Sequence, residues 1–327
     1  MKVLTFFNSQ GGVGKTTLLF NVAHMLVNKG KRVTMVDCDP QCNLSASILD
    51  DEKLDELWSA EGGTGVTVEN CLRGIHQRTG DICEPRCITV SSAGLSLLPG
   101  DLLLSQLEQT LAADGWGRDF RRDKAAILVA SSVARVVERA GAVTSADIVL
   151  LDVGPSLGAL NRAVHAACDA VVVPVAPDLF SLRGLQNVGP TLRDWNEQWK
   201  EVRPPAGKHV PPHQGTVLGY VVQQHLARAD RPVAGYHAWA DRIPDSFARF
   251  VQGRVDVDPT VTIQTDPLCL GLLKHYASLV PLAQAARKPI FALKQADGIG
   301  GGQIQSVAHA RKQFSAFTDT LLERLQA

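Results

Sequence analysis

Apolar residues recur along the chain in two rhythms. Lys2 to Asn8, Lys31 to Asp37, Asp147 to Asp152 and Ala170 to Val175 are short, nearly continuous apolar runs that stop at polar or glycine-bearing turns. Such runs predict strands covered on both faces. Gly215 to Gln224 and Lys288 to Lys294 read as two more. Between them the spacing changes to three and four: Leu19, Val22, Ala23 and Leu26 predict a helix over Leu18 to Lys29. Further helices are predicted at about Leu102 to Ala112, Lys124 to Ala140, Leu160 to Cys168 and Leu182 to Lys200. Strands alternating with helices predict an α/β fold, a mostly parallel twisted sheet with helices on both faces. The proline- and glycine-rich stretch Lys200 to Gly215 reads as a surface connection, so residues 1–327 are taken as a single domain.

A last helix is predicted from about Gln303 to Leu325, with Val307, Ala310, Phe314, Phe317, Leu321 and Leu325 on one face. That stripe suits either a bilayer surface or a sheet. Its polar face mixes Asp319 and Glu323 with Arg311, Lys312 and Arg324, which favours packing on the sheet.

Composition narrows the partners. The 33 Lys and Arg residues balance 33 Asp and Glu, so no global field recruits nucleic acid or an acidic membrane. Without a signal peptide or an apolar run long enough to span a bilayer, a cytoplasmic location is expected. Seven irregularly spaced cysteines argue against a disulfide framework. Cys83 and Cys87 lack a second pair to complete a metal site, and the cysteines are read first as buried or idle thiols, with oxidation sensitivity as the alternative for Cys38 and Cys42, which flank a candidate active segment.

The chemistry starts at "FFNSQGGVGKTTL", Phe6 to Leu18. Gly11, Gly12, Val13, Gly14, Lys15 and Thr16 follow a predicted strand and open a predicted helix, the setting in which backbone N–H groups and a helix N-terminus hold phosphate. Lys15 would neutralise the β- and γ-phosphates, and the Thr16 hydroxyl would sit on Mg²⁺. The strict pattern asks for glycine where this chain has Ser9, and Gln10 follows, so the loop is of a deviant kind.

Several segments in order resemble the ParA/MinD family of partitioning and positioning ATPases. "VDCDPQCNLS" (Val36 to Ser45) is similar to the family's DxDPQxN, and "LLDVGPSLGALNRA" (Leu150 to Ala163) to its DxxPSLG. "VVVPVAPDLFSLRGL" (Val171 to Leu185) is similar to VPxxxxxxALxGL, and "LSLLPGDLLLSQLE" (Leu95 to Glu108) to LLPSNxxLxxxE. The likeness covers residues 1 to about 200 and loosens beyond.

The resemblance implies a nucleotide switch using ATP, ADP and Mg²⁺, in which two copies close around two ATP molecules. Hydrolysis, stimulated by a partner protein, would open them. The closed homodimer would ride on nonspecific DNA, on a membrane or on a cargo adaptor; DNA is the favoured platform, with association to the nucleoid. Carried across, Thr17 lies near the α-phosphate, Asp39 orients the attacking water, and Asp37 and Asp152 stand near the metal. Strand-end carboxylates that cap a following helix remain the alternative for Asp37 and Asp152.

Gln10 occupies the place of the family's signature lysine, which reaches the partner's ATP. A neutral donor there implies a looser dimer or slower turnover. Either Arg162 supplies the missing cation, or the glutamine is an introduced lysine replacement.

Lys274 to Ala327 holds seven basic and three acidic residues, an excess of 7 − 3 = +4. Lys274, Arg287, Lys288, Arg311 and Lys312 are candidate phosphate contacts, with a solvated helix face as the alternative. His225 to Asp258 sets five arginines against five aspartates and is no basic patch. Phe291 to Gln303 either touches adenine or is a glycine turn. Two other readings stay open: a MinD-like membrane-associated regulator, and an ATP-dependent small-molecule ligase, which would usually lack the Asp39-Pro40-Gln41 segment.

Overall fold

The computed structural model describes residues 1–59, 65–120, 122–206, 215–224, 238–274 and 276–326, without the side chains of 203–206 and 224. The connection after Lys200 and the stretch from His225 therefore lie partly outside the described residues. The strands are β1 (Lys2–Phe6), β2 (Val33–Asp37), β3 (Ile88–Ser91), β4 (Leu95–Leu98), β5 (Ile148–Asp152), β6 (Ala170–Val175), β7 (Thr216–Gln224) and β8 (Cys269–Lys274). They form an eight-stranded sheet in the order β3-β4-β2-β5-β1-β6-β7-β8. β1 and β2 both run parallel to β5, β2 parallel to β4, β7 parallel to β8, and only the β3–β4 hairpin is antiparallel among these pairs. The mostly parallel α/β fold expected from the apolar runs is what forms, because residues such as those of β2, β5 and β6 are buried throughout.

Contacts divide the chain into two compact units. The first comprises Met1–Phe6, Leu26–Val171 and Leu192–Thr216. It holds β1 to β5 and the helices α2 (Asn43–Ala46), α3 (Asp51–Ser59), α4 (Val68–His76), α5 (Leu104–Thr110), α6 (Lys124–Ala130), α7 (Ser132–Val143) and α8 (Ala159–Ala166). The helix predicted from Leu102 is shorter and ends in a wider turn of π type, Leu111–Trp116. The one predicted from Lys124 is broken at Ser131. There the Ser131 hydroxyl donates to the Ile127 carbonyl and the Ser132 hydroxyl to that of Val129, both at 2.7 Å. Hydroxyls bonded back onto the preceding turn bend helices. Glu108 of α5 receives the N–H groups of Ala159 and, at 2.8 Å, Leu160 at the start of α8.

The second unit comprises Phe7–Met25, Val172–Thr191 and Val217–Ala327. In the chain, α1 (Lys15–Asn28) follows β1 and α9 (Leu179–Ala206) follows β6. Lys288 to Lys294 is not a strand. Pro289 has no N–H, and the N–H of Ile290 goes to the Asn21 side chain at 2.9 Å, so the segment has no ladder to offer and turns as a 3-10 helix at Ile290–Ala292. The last strand is β8, whose apolar run is interrupted by Gly271. That glycine receives Phe317: a Cβ there would lie 3.0 Å from the ring.

Phe317 belongs to the last helix, Gly302–Gln326, whose Ala310, Phe314, Phe317, Leu321 and Leu325 are buried. Gln313 ties it to β8, donating to the Leu272 carbonyl at 2.9 Å and accepting from the Lys274 N–H at 3.1 Å. The stripe thus packs within its own unit instead of facing a bilayer. Among the described residues, no helix is long and apolar enough to cross a membrane.

Candidate nucleotide-binding site

The phosphate loop is held from both ends. After β1, the Phe7 N–H donates to the Val172 carbonyl at 3.0 Å, and Asn8, fully buried, donates its amide to the Pro174 carbonyl at 2.7 Å. The Asn8 oxygen receives the Gln10 N–H at 2.9 Å. At the far end, α1 opens with the Leu18 N–H on the Gly14 carbonyl at 2.8 Å. Gly12 (φ 75°) and Gly14 (φ 77°) lie in the left-handed region that only glycine enters cheaply. A Cβ on Gly14 would also stand 2.6 Å from Oε1 of Gln223, which donates its amide to the Gly14 carbonyl at 3.4 Å. Nothing in the sequence alone marks Gln223 as a neighbour of the loop.

Lys15 is 7% exposed, and its ammonium donates to the Gln10 carbonyl at 3.1 Å. Gly11 and Gly12 are exposed, while Thr16 and Thr17 are half-buried. A buried cation beside an exposed glycine backbone at a helix start suits an anionic oxygen. The Thr16 hydroxyl is the hard oxygen donor that a Mg²⁺ ion beside such a phosphate takes. The Gln10 side chain, for its part, lies against its own chain: its Oε1 accepts from the Ser181 hydroxyl at 2.6 Å.

The carboxylates sit at the ends of β2 and β5, where Asp37 and Asp152 are register partners. Strand carboxyl ends are where sheets of this type bind ligands. Both are buried, as is Asp39, 5% exposed. Asp37 Oδ2 accepts from the N–H and the hydroxyl of Ser45, at 2.8 and 2.7 Å, and its Oδ1 accepts from the Asp39 N–H at 3.2 Å. Asp37 thus secures α2, the arrangement left open beside a metal role. Burial pushes its carboxyl up to about 6, against the lowering by those donors, and the charge of Asp39 adds to the rise. Asp39 Oδ1 accepts from the Gln41 N–H at 3.0 Å and lies 3.0 Å from where a Cβ on Gly154 would stand, so the turn after β5 must pass without a side chain.

Two readings are corrected here, the oxidation-sensitive alternative first. Cys38 and Cys42 are fully buried, and burial together with the charges of nearby carboxylates raises both thiols well above their ordinary range. They are the opposite of reactive thiolates. The segment Phe291 to Gln303 does not continue directly from a strand, since Lys288 to Lys294 is not one and the preceding strand, β8, ends at Lys274.

Arg162, the proposed stand-in cation, stacks its guanidinium 3.8 Å from the centre of the Trp116 ring. Burial lowers its pKa to about 10, so it stays charged at neutral pH. Of the basic residues after Lys274, Lys288 pairs with Asp297 at 2.6 Å and Arg311 donates to the Phe291 carbonyl at 3.4 Å. Lys274 and Lys312 are exposed.

A model of the AAA domain family AAA_31 matches residues 1–202. The ParA family protein pGP5-D of the Chlamydia muridarum virulence plasmid is 29% identical over 192 residues, covering 58% of this chain and 60% of its own. The chromosome-partitioning ATPase Soj of Thermus thermophilus is 33% identical over 190 residues, covering 57% and 59%. The chain thus spans less than two thirds of the length of these relatives. Protein DIP2308 of Corynebacterium diphtheriae shares the fold over 99% of both chains, with a TM-score of 0.66 at 24% identity. A family match over that much of its length makes this chain a member of the AAA_31 family of AAA domains, and its relatives make it a ParA/MinD-type member.

Proposed function

We propose that this chain is a MgATP-driven switch of the ParA kind, which pairs with a second copy when ATP is bound and positions or segregates DNA or another large cargo. The observation that carries the reading is the loop itself: Gly12 and Gly14 in left-handed conformations, with the buried Lys15 opening α1. In this role the backbone of Gly11 to Lys15 and the Thr17 segment bind the phosphates, Lys15 offsets their charge, and Thr16 holds Mg²⁺. When bound, MgATP supplies the phosphoryl group whose transfer to water drives the switch. Phosphoryl transfer asks for positioning and charge neutralisation more than for covalent chemistry. The resemblance gives Asp39 the role of the residue that would orient the attacking water, with Asp37 holding the turn that carries it, and Asp152 that of a carboxylate that would stand near the metal. Hydrolysis is slow, since Gln10 brings no charge to the loop, and a partner protein accelerates it.

Nonspecific DNA is the platform this reading prefers, because the apolar stripe that a MinD-like membrane role requires is packed on β8. The test is binding to long duplex DNA of arbitrary sequence without nucleotide, with ADP, and with ATP and Mg²⁺, at two salt concentrations. Binding confined to ATP and weaker at high salt is the expected result. Absence of binding in every state, or binding indifferent to nucleotide, overturns it.

A further inference from the structure

Gln10 and Ser181 each depart from the pattern this chain resembles: glutamine stands where that pattern has lysine, and serine stands at the alanine of VPxxxxxxALxGL. Separated by 171 positions, the two departures touch each other, with Ser181 Oγ 2.6 Å from Gln10 Oε1. Ser181 is fully buried in the first turn of α9. Its hydroxyl oxygen accepts the Ala176 N–H at 3.1 Å, and its own N–H donates to Asp178 Oδ1 at 2.8 Å. The 2.6 Å separation from Gln10 Oε1 is that of an O–H···O bond, shorter than the usual N–H···O, so the Ser181 hydroxyl donates its proton to the Gln10 oxygen while its own oxygen accepts the Ala176 N–H.

This fixes the amide of Gln10. Its oxygen is engaged by Ser181, so its two N–H donors form the outward end of the group. The Gln10 backbone is equally committed, with its N–H on Asn8 and its carbonyl on Lys15. The residue next to the phosphate-binding lysine therefore offers donors only, as a lysine would, but uncharged and tied to its own chain.

We propose that Ser181 is a positioning residue that orients the Gln10 amide so that its N–H donors meet a nucleotide phosphate, the two residues acting as one matched replacement for a lysine and its small neighbour. The proposal deepens the switch reading and rests on it. It places the specificity of position 10 in a pair, in which Gln10 depends on the Ser181 hydroxyl and a lysine at the same position would not.

The test is the affinity for MgATP, measured by titration calorimetry on the full chain, for wild type, Ser181→Ala, Ser181→Thr, Gln10→Lys and the double variant Gln10→Lys with Ser181→Ala. Ser181→Ala should weaken binding by about 3- to 10-fold, the effect of one neutral hydrogen bond. Ser181→Thr keeps the hydroxyl and should bind like wild type. In the Gln10→Lys background the loss of the serine hydroxyl should have no effect. An equal loss in both backgrounds would mean that Ser181 serves only the turn at Ala176, and the pairing is overturned. Should wild type fail to bind MgATP at all, the switch reading falls and the pairing with it, a result distinct from binding without coupling.

Discussion

The phosphate loop and the strand-end carboxylates are built on opposite principles. The loop is a matter of backbone: two left-handed glycines, an exposed main chain, and side chains such as Asn8 and Ser181 that act by gripping carbonyls and amides. The carboxylate turn is a matter of burial: Asp37 and Asp39 are held out of water and kept there by hydrogen-bond donors from their own and the next element. A backbone site tolerates little change of shape and is indifferent to pH. A buried acidic site keeps its shape through a charge balance, and should respond to pH and to loss of a single donor. Each difference can be pressed.

The largest effect is expected at Lys15. Replacing it with alanine removes the cation proposed to meet phosphate and should lower the hydrolysis rate by about two to three orders of magnitude, as removal of other transition-state charge stabilisers does; a rate within a few-fold of wild type would take Lys15 out of the site. Next comes Gly14→Ala, which forces a side chain into a left-handed conformation and against Gln223. Adding Gln223→Ala should relieve the clash but not the backbone strain of about 1–2 kcal/mol, so the double variant should recover MgATP binding only in part.

On the carboxylate side, Ser45→Ala removes one donor from the buried Asp37 and should cost about 1–3 kcal/mol of stability in denaturant unfolding. The sign of the pH effect follows from the raised carboxyl. Between its ordinary value near 4 and its folded value of about 6, the folded state binds the proton and the unfolded state does not, so the Asp37 contribution to stability falls as pH rises through that window. Asp37→Asn should abolish that component.

A half-buried histidine, His24, and a buried one, His165, run the other way. Burial lowers His24 and His165 to about 4, so unfolded chains take up protons that the folded protein refuses, and stability is lost as pH falls from about 6.5 towards 4. His165→Asn should make the acid limb of the stability profile shallower.

The smallest effect separates packing from chemistry. Arg162→Ala should cost about 1 kcal/mol of stability through its contact with Trp116. Unchanged ATP hydrolysis in that variant would remove Arg162 as the missing cation; a large drop would reinstate it.

The sequence was legible wherever the signal is local. Strand runs ending in Asp37 and Asp152, and the glycine loop between β1 and α1, are contiguous patterns whose physical reading needs no partner. β8 was not legible because Gly271 breaks its apolar run for the sake of Phe317, 46 positions away (317 − 271). Lys288 to Lys294 misled because its apolar residues are buried without being in a ladder. Ser181 and Gln223 act across long separations on Gln10 and Gly14, Ser45 reaches back eight positions to Asp37, and no single-residue property distinguishes them from surface polar residues until the chain is folded.

Glu108 carries one more consequence. By lying across the first N–H groups of α8 it acts as a resident anion at the positive end of that helix, and Gly158 lacks the Cβ that would displace it. That helix start is therefore saturated from within and adds nothing to the stoichiometry of anion binding. Sulfate or phosphate in a buffer would compete with nucleotide at the glycine loop and find α8 already closed to it, so α8 should contribute no class of site of its own to salt-inhibition curves.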